Sequence, residues 1–185
     1  DGIEGREPSC DFKHASELVE FIKQFDSKTG GTQFKVFGAC YPEQHPESED
    51  VMSDIQGLKA KVDAGATHLI SQLFFDNEKF YRFLERAKLA GINVPIEAGI
   101  MPATNKKSIE RMVSLTNATL PPKFINMMER YGDSPEAIRD AGIAYAVDQI
   151  VDLVTNGVDG IHLYTMNNSY IAKRINEAVR SLFTV

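Results

Sequence analysis

Apolar residues along the chain alternate between two periods. Leu18, Val19, Phe21, Ile22 and Phe25 fall at helical spacing and predict a helix over 15–25. Residues 34–40 then run apolar and partly alternating, through Phe34, Val36 and Phe37 to the small Gly38, Ala39 and Cys40, which predicts a buried strand. A helix over 49–64 follows, with Val51, Ile55, Leu58 and Val62 on one face and Gly65 as its stop. Further strands are predicted at 67–75, 94–99 and 160–164. Helices are predicted at 76–90 behind the cap Asp76, at 105–115 and 121–131, and at 168–183. Ser134, Pro135 and Glu136 supply a cap, a first-position proline and a first-turn acid, and open a helix that runs to Asn156.

The order α-β-α-β-α-β-α-α-β-α, with short turns and no linker, predicts an α/β fold with a parallel sheet in a single domain over 1–185. A (β/α)8 (TIM) barrel takes about 250 residues. Four strands in 185 residues make half of one, with two open sheet edges and an apolar interior. Such a chain is expected to associate, with a second copy or with a partner subunit.

Composition narrows the partners. A net charge of −6 argues against nucleic acid and against anionic membrane surfaces. No run is long enough for a membrane span and no signal peptide opens the sequence, so a cytoplasmic protein is expected. Cys10 and Cys40 stand in unlike contexts and are expected as free thiols. Asn117 begins a formal glycosylation acceptor, taken as chance without a secretory signal.

The chemistry gathers after the first strand. Tyr41-Pro42-Glu43 and His45-Pro46-Glu47 make a stiff loop at its C-terminal end, the place where α/β proteins bind ligands. By residue type, Tyr41 is either a strand-end aromatic or a flat wall for a ligand, and His45 either an idle loop histidine or a contact. Glu43 and Glu47 are a carboxylate pair of the kind used in acid–base work, or simply loop acids. Asp54, Gly57 and Lys61, at i, i+3 and i+7, share one helix face, which is either solvated or suited to hydroxyls and a phosphate with glycine admitting the ligand. Gln72 sits inside the apolar run LISQLFF, where an unbonded amide is costly. No metal site is expected, since His14, His68 and His162 are scattered.

The stretches YPEQHPES, LKAKVDAGATHLISQLFFD, GINVPIEAGIMPAT and GIHLYTMN, in that order, closely resemble the 5,10-methylenetetrahydrofolate reductase family. The resemblance covers nearly the whole chain and implies roughly strands five to eight of a flavin-binding (β/α)8 barrel. It implies reduction of 5,10-methylenetetrahydrofolate to 5-methyltetrahydrofolate, with FAD (or FMN) as cofactor and NAD(P)H as electron donor. By that resemblance Ala15, Ala39, Tyr41, His45, Asp54, Gly57 and Lys61 bind the flavin, and Gln72, Tyr164 and Met166 bind the substrate. The family's general-acid glutamate falls upstream of this chain, so no catalytic residue is assigned within it and the chain alone is expected to be inactive. The chain departs from the family's usual pattern at Gly57, Ser108, Met112 and Asn168, and at Ala98 of the PIEAGI stretch.

Overall fold

The computed structural model describes residues 11–30, 34–116 and 118–184. Cys10, most of the polar opening, the glycine pair at the end of the first turn from Gly31 on, and Asn117 lie outside the described residues.

Helix α1 (Ala15–Thr29) leads into strand β1 (Phe37–Cys40), helix α2 (Val51–Asp63), strand β2 (His68–Ser71), helix α3 (Asn77–Leu89) and strand β3 (Ile96–Ile100). Helices α4 (Lys106–Thr116), α5 (Pro122–Tyr131) and α6 (Pro135–Thr155) come next, then strand β4 (Gly160–Leu163) and helix α7 (Ser169–Val179), which ends in a 3-10 turn at Arg180–Phe183. All four strands are parallel and lie in chain order, β1-β2-β3-β4. This is the α/β arrangement the alternating periods predict.

Local chemistry accounts for the boundaries. Asp50 and Ser53 form a reciprocal capping box that starts α2: Ser53 N donates to Asp50 Oδ1 at 2.7 Å and Asp50 N to Ser53 Oγ at 3.1 Å. Asp76, Ser134 and Asn168 accept from the first turns of α3, α6 and α7. After α2 the chain turns at Gly65 with φ +119°, a conformation that residues with a Cβ rarely adopt.

The strands are shorter than the apolar runs suggest. Phe34 and Val36 precede β1, and Leu73, Phe74 and Phe75 leave the sheet after Ser71. Those three are nonetheless buried, in two cores. The larger core packs Leu69, Ile96, Ala98 and Ile100 of the sheet against Leu58, Phe80, Phe83, Ile150 and Ile175 of the helices. The smaller one gathers Leu73, Phe75, Met101, Ile109, Phe124 and Ile138 beneath α4 and α5.

Strand alternation sends the other residues to the opposite face of the sheet. There Phe37 stacks on His68, and Glu97 approaches His162 at 3.9 Å. The expected apolar interior thus carries ionisable side chains beside Phe37 and Ile70. The helix predicted over 15–25 is present, with its apolar stripe only partly covered. Val19 is buried, but Leu18, Phe21 and Phe25 are exposed, Phe25 at 51%. Phe12 packs its ring on Phe21 with centroids 5.5 Å apart.

Candidate functional site

Two cavities open at the C-terminal ends of the strands. The first, of about 460 Å³, lies between the start of α1, the end of β1, the 41–48 loop and α2. Ala15, Ala39, Tyr41, His45, Asp54, Gly57 and Lys61 all line it. Residues separated by up to 46 positions in sequence thus meet on one concave surface.

Asp54 organises the loop from below. Its Oδ2 accepts from His45 N at 3.1 Å and its Oδ1 from Ser48 Oγ at 3.4 Å. Each carboxylate oxygen retains a lone pair for a further donor. The two prolines stiffen the loop, and the rings of Tyr41 and His45 meet edge to face at 4.4 Å. One and two turns further along the same helix face come Gly57 and Lys61. A Cβ added at Gly57 would meet nothing within 4 Å, so glycine leaves open space here. The Lys61 ammonium donates to the Ala39 carbonyl at 2.6 Å and keeps two N–H groups for other acceptors.

Burial shifts the ionisations. It lowers the pKa of Lys61, against the upward pull of Cys40 and Asp54. Burial likewise raises Cys40 to about 12, with Lys61 pulling it down and Asp54 pushing it up. Tyr41 is raised by burial first, then by Asp54 and Glu47. At neutral pH the cleft thus presents a neutral thiol and a neutral phenol.

The second cavity, of about 350 Å³, lies between the β3–α4 and β4–α7 connections. Tyr164 and Met166 line it, together with Ser108 and Met112. The Tyr164 hydroxyl donates to the Ser71 carbonyl at 3.0 Å, and its ring meets His162 edge to face at 4.8 Å. Burial, then Cys40, raises the Tyr164 pKa. Met166 and Asn167 adopt left-handed φ of 48° and 59°, and Met166 stands 69% exposed at the rim. Asn168 caps α7, accepting from Ile171 N at 3.3 Å, which gives this departure from the family pattern a local structural role.

Gln72 lines neither cavity. Its backbone N–H donates to the Cys40 carbonyl at 2.7 Å, and its Oε1 accepts from Leu73 N at 2.9 Å. The amide in the apolar run is half satisfied by its own neighbour, and its Nε2 has no protein partner among the described residues.

Sequence reasoning missed what holds the loop from the far side. Arg86 of α3 donates to the Pro42 carbonyl at 3.1 Å, and its Nε is buried without a partner among the described residues. Glu43 accepts from both the N–H and the hydroxyl of Thr119. A carboxylate beside two prolines was a signal, but its partner could not be read from spacing. Among the described residues no group of three or more His, Cys, Asp or Glu side chains could hold a metal ion. None of the described helices is long and apolar enough to cross a membrane.

A parallel α/β sheet with clefts at its strands' C-terminal ends defines a ligand-binding α/β protein. The family model for methylenetetrahydrofolate reductase matches residues 2–180, and the chain belongs to that family. It is 36% identical over 162 residues to the 5,10-methylenetetrahydrofolate reductase of Escherichia coli (strain K12), covering 88% of this chain and 53% of that protein. To the same-named protein of Pectobacterium carotovorum it is 34% identical, covering 93% and 55%. To methylenetetrahydrofolate reductase (NADH) 1 of Arabidopsis thaliana it is 36% identical, covering 84% and 27%. The chain thus spans about half the length of the bacterial relatives it matches. Among solved structures, an uncharacterized protein from Clostridium thermocellum that binds two copies of 5-methyl-5,6,7,8-tetrahydrofolic acid superposes with a TM-score of 0.64. That match covers 100% of this chain and 66% of the other at 16% identity, a likeness of fold alone.

Proposed function

We propose that this chain forms the flavin- and folate-binding wall of a methylenetetrahydrofolate reductase, corresponding to roughly strands five to eight of a (β/α)8 barrel. The observation that carries this is the convergence of Ala15, Ala39, Tyr41, His45, Asp54, Gly57 and Lys61 on one cleft. The donor set suits a flavin nucleotide. Lys61 offers two N–H groups and a charge for a phosphate, Asp54 offers lone pairs for sugar hydroxyls, and Tyr41 offers a flat ring. The open space at Gly57 admits the ligand against α2.

When bound, the flavin supplies hydride transfer between NAD(P)H and methylenetetrahydrofolate. The chain's own residues bind and orient. Tyr164 and Met166 line the neighbouring cavity for the folate, and Gln72, with a free amide nitrogen at the end of β2, serves the folate and the nicotinamide in turn. The Ser71–Tyr164 hydrogen bond fixes the phenol ring as one wall.

The test is the visible spectrum of the purified protein, taken with its intact mass. A flavin band in that spectrum, retained through purification or gained on adding FAD or FMN, supports the reading. A colourless protein that takes up neither FAD nor FMN overturns it.

A second reading, association to complete a barrel with a second copy, a partner subunit or the family's other half, is favoured by one observation. Phe21, Phe25, Phe34 and Phe37 line an apolar groove of about 520 Å³ beside the unpaired edge of β1. A sizing column tests it: a monomer without bound partner over the working concentration range removes this reading.

A further inference from the structure

The second cavity has an uneven charge. Its walls are largely apolar, with Met101, Met112, Leu115 and Met166 among them, and no Asp or Glu lines it although the chain carries 26 acids. Among the described residues its single charged lining residue is Arg111, on the exposed face of α4. Among the described residues Arg111 makes no ion pair, whereas Arg139 and five lysines do. Two polar neighbours are already engaged. Asn105 Oδ1 accepts from Ser108 N at 3.1 Å, and the Tyr164 hydroxyl donates to Ser71. An apolar slot with one unspent guanidinium at its wall matches a ligand with a flat apolar body and a carboxylate end.

We propose that Arg111 is the anion anchor of this cavity, pairing with the carboxylate of an aromatic amide ligand such as the glutamate end of a folate. The assignment rests on the folate reading above and adds to it the residue that selects for the charged tail. Arg111, Met101, Met112 and Met166 line the same cavity, so an aromatic body can lie among the methionines while its anionic end meets the guanidinium. A guanidinium–carboxylate pair at a half-open site contributes about tenfold in affinity and weakens with salt.

The experiment uses p-aminobenzoylglutamate and its diamide, which has the same size without the charges, and so needs neither flavin nor nicotinamide. Binding is measured by titration calorimetry on the full chain. The diacid is expected to bind about tenfold more tightly than the diamide, with the preference shrinking as salt rises. Arg111→Gln should abolish the preference, and Arg111→Lys should retain part of it. Equal binding of the two compounds to the unaltered protein, or a preference that survives in Arg111→Gln, overturns the anchor and leaves the folate reading standing. Binding of neither compound removes both. Arg111 is exposed, so its variants are expected to fold, which thermal unfolding checks.

Discussion

The carboxylate of Glu43 holds both polar groups of Thr119, accepting from its N–H at 2.8 Å and its hydroxyl at 2.7 Å. The two residues lie 76 positions apart, and Lys79 comes within 3.9 Å of the same carboxylate. The contact ties the 41–48 loop, which carries Tyr41 and His45, to the segment joining α4 and α5. It therefore registers the first cavity against the helix that walls the second.

Glu43→Ala should cost about 2 kcal/mol, since it removes a charge-assisted acceptor and strands a backbone donor. Glu43→Gln keeps an acceptor for the N–H and can donate to the hydroxyl oxygen, so it should recover more than half of that loss. Urea denaturation of the three proteins decides the matter. Equal stability of Glu43→Ala and the unaltered protein would show that the pair contributes nothing.

Phe80 is the centre of the helix-side core. It is fully buried, stacked on Phe74 at 4.8 Å and tilted against Phe83 at 6.3 Å. Phe80→Ala should cost about 3–5 kcal/mol through lost transfer energy and the cavity left behind. Phe80→Leu should cost much less, because it refills most of the volume. A loss below about 1 kcal/mol for the alanine variant would mean that α3 is not held by this ring.

Much of this was legible in the sequence, and the exceptions have physical causes. Helix starts were readable because caps are local: Asp76, Ser134 and Asn168 bond backbone groups two or three residues away. The seven cleft residues could be named because their motifs are short and their spacing follows one helix face and one loop. Strand ends were not readable. Phe74 and Phe75 look like strand residues by apolarity, yet they are buried against helices, Phe75 packing on Phe124 at 4.3 Å. Apolar periodicity identifies a face without saying what covers it: Phe21 and Phe25 belong to the apolar stripe of α1 and still stand exposed. Glu97 and His162 each look incidental in sequence. Only the register Gly99↔His162 and Ile70↔Glu97 sets them on one face.

Alkaline pH should destabilise the fold. Cys40 is raised from an ordinary 9.0 to about 12, mainly by burial. Its folded-state pKa exceeds its unfolded value, so between those values the folded state binds more protons and stability falls as pH rises. The contribution is intact below about pH 9 and is lost progressively towards about pH 12. Tyr81 and Tyr145, each raised from 10.0 to about 12, act in the same direction. Cys40→Ala should flatten the earliest part of that slope in a urea series across this range. The same burial predicts that iodoacetamide labels Cys40 only on unfolding, read by peptide mass mapping. Rapid labelling of the native protein at Cys40 would contradict it.

Gly99 is packed where no Cβ can stand. An added Cβ would lie 2.2 Å from the Ser71 carbonyl oxygen and 2.8 Å from Cε2 of Tyr164. The same carbonyl accepts the Tyr164 hydroxyl, and Gly99 N donates to Ser71 Oγ at 2.8 Å. Gly99→Ala must therefore push β3 away from β2 or swing the phenol ring, at a cost of about 1–3 kcal/mol. Tyr164→Phe removes only the hydroxyl and should cost about 1 kcal/mol. If the methyl group acts by breaking the Ser71–Tyr164 hydrogen bond, the double variant cannot lose that bond twice. Its cost should then fall short of the sum of the single costs by about the worth of the bond. Strict additivity would mean that the strain is absorbed in the strands and that the Tyr164 ring keeps its place. A shortfall should also be accompanied by weaker binding of p-aminobenzoylglutamate to Gly99→Ala, because the displaced ring is one wall of that cavity.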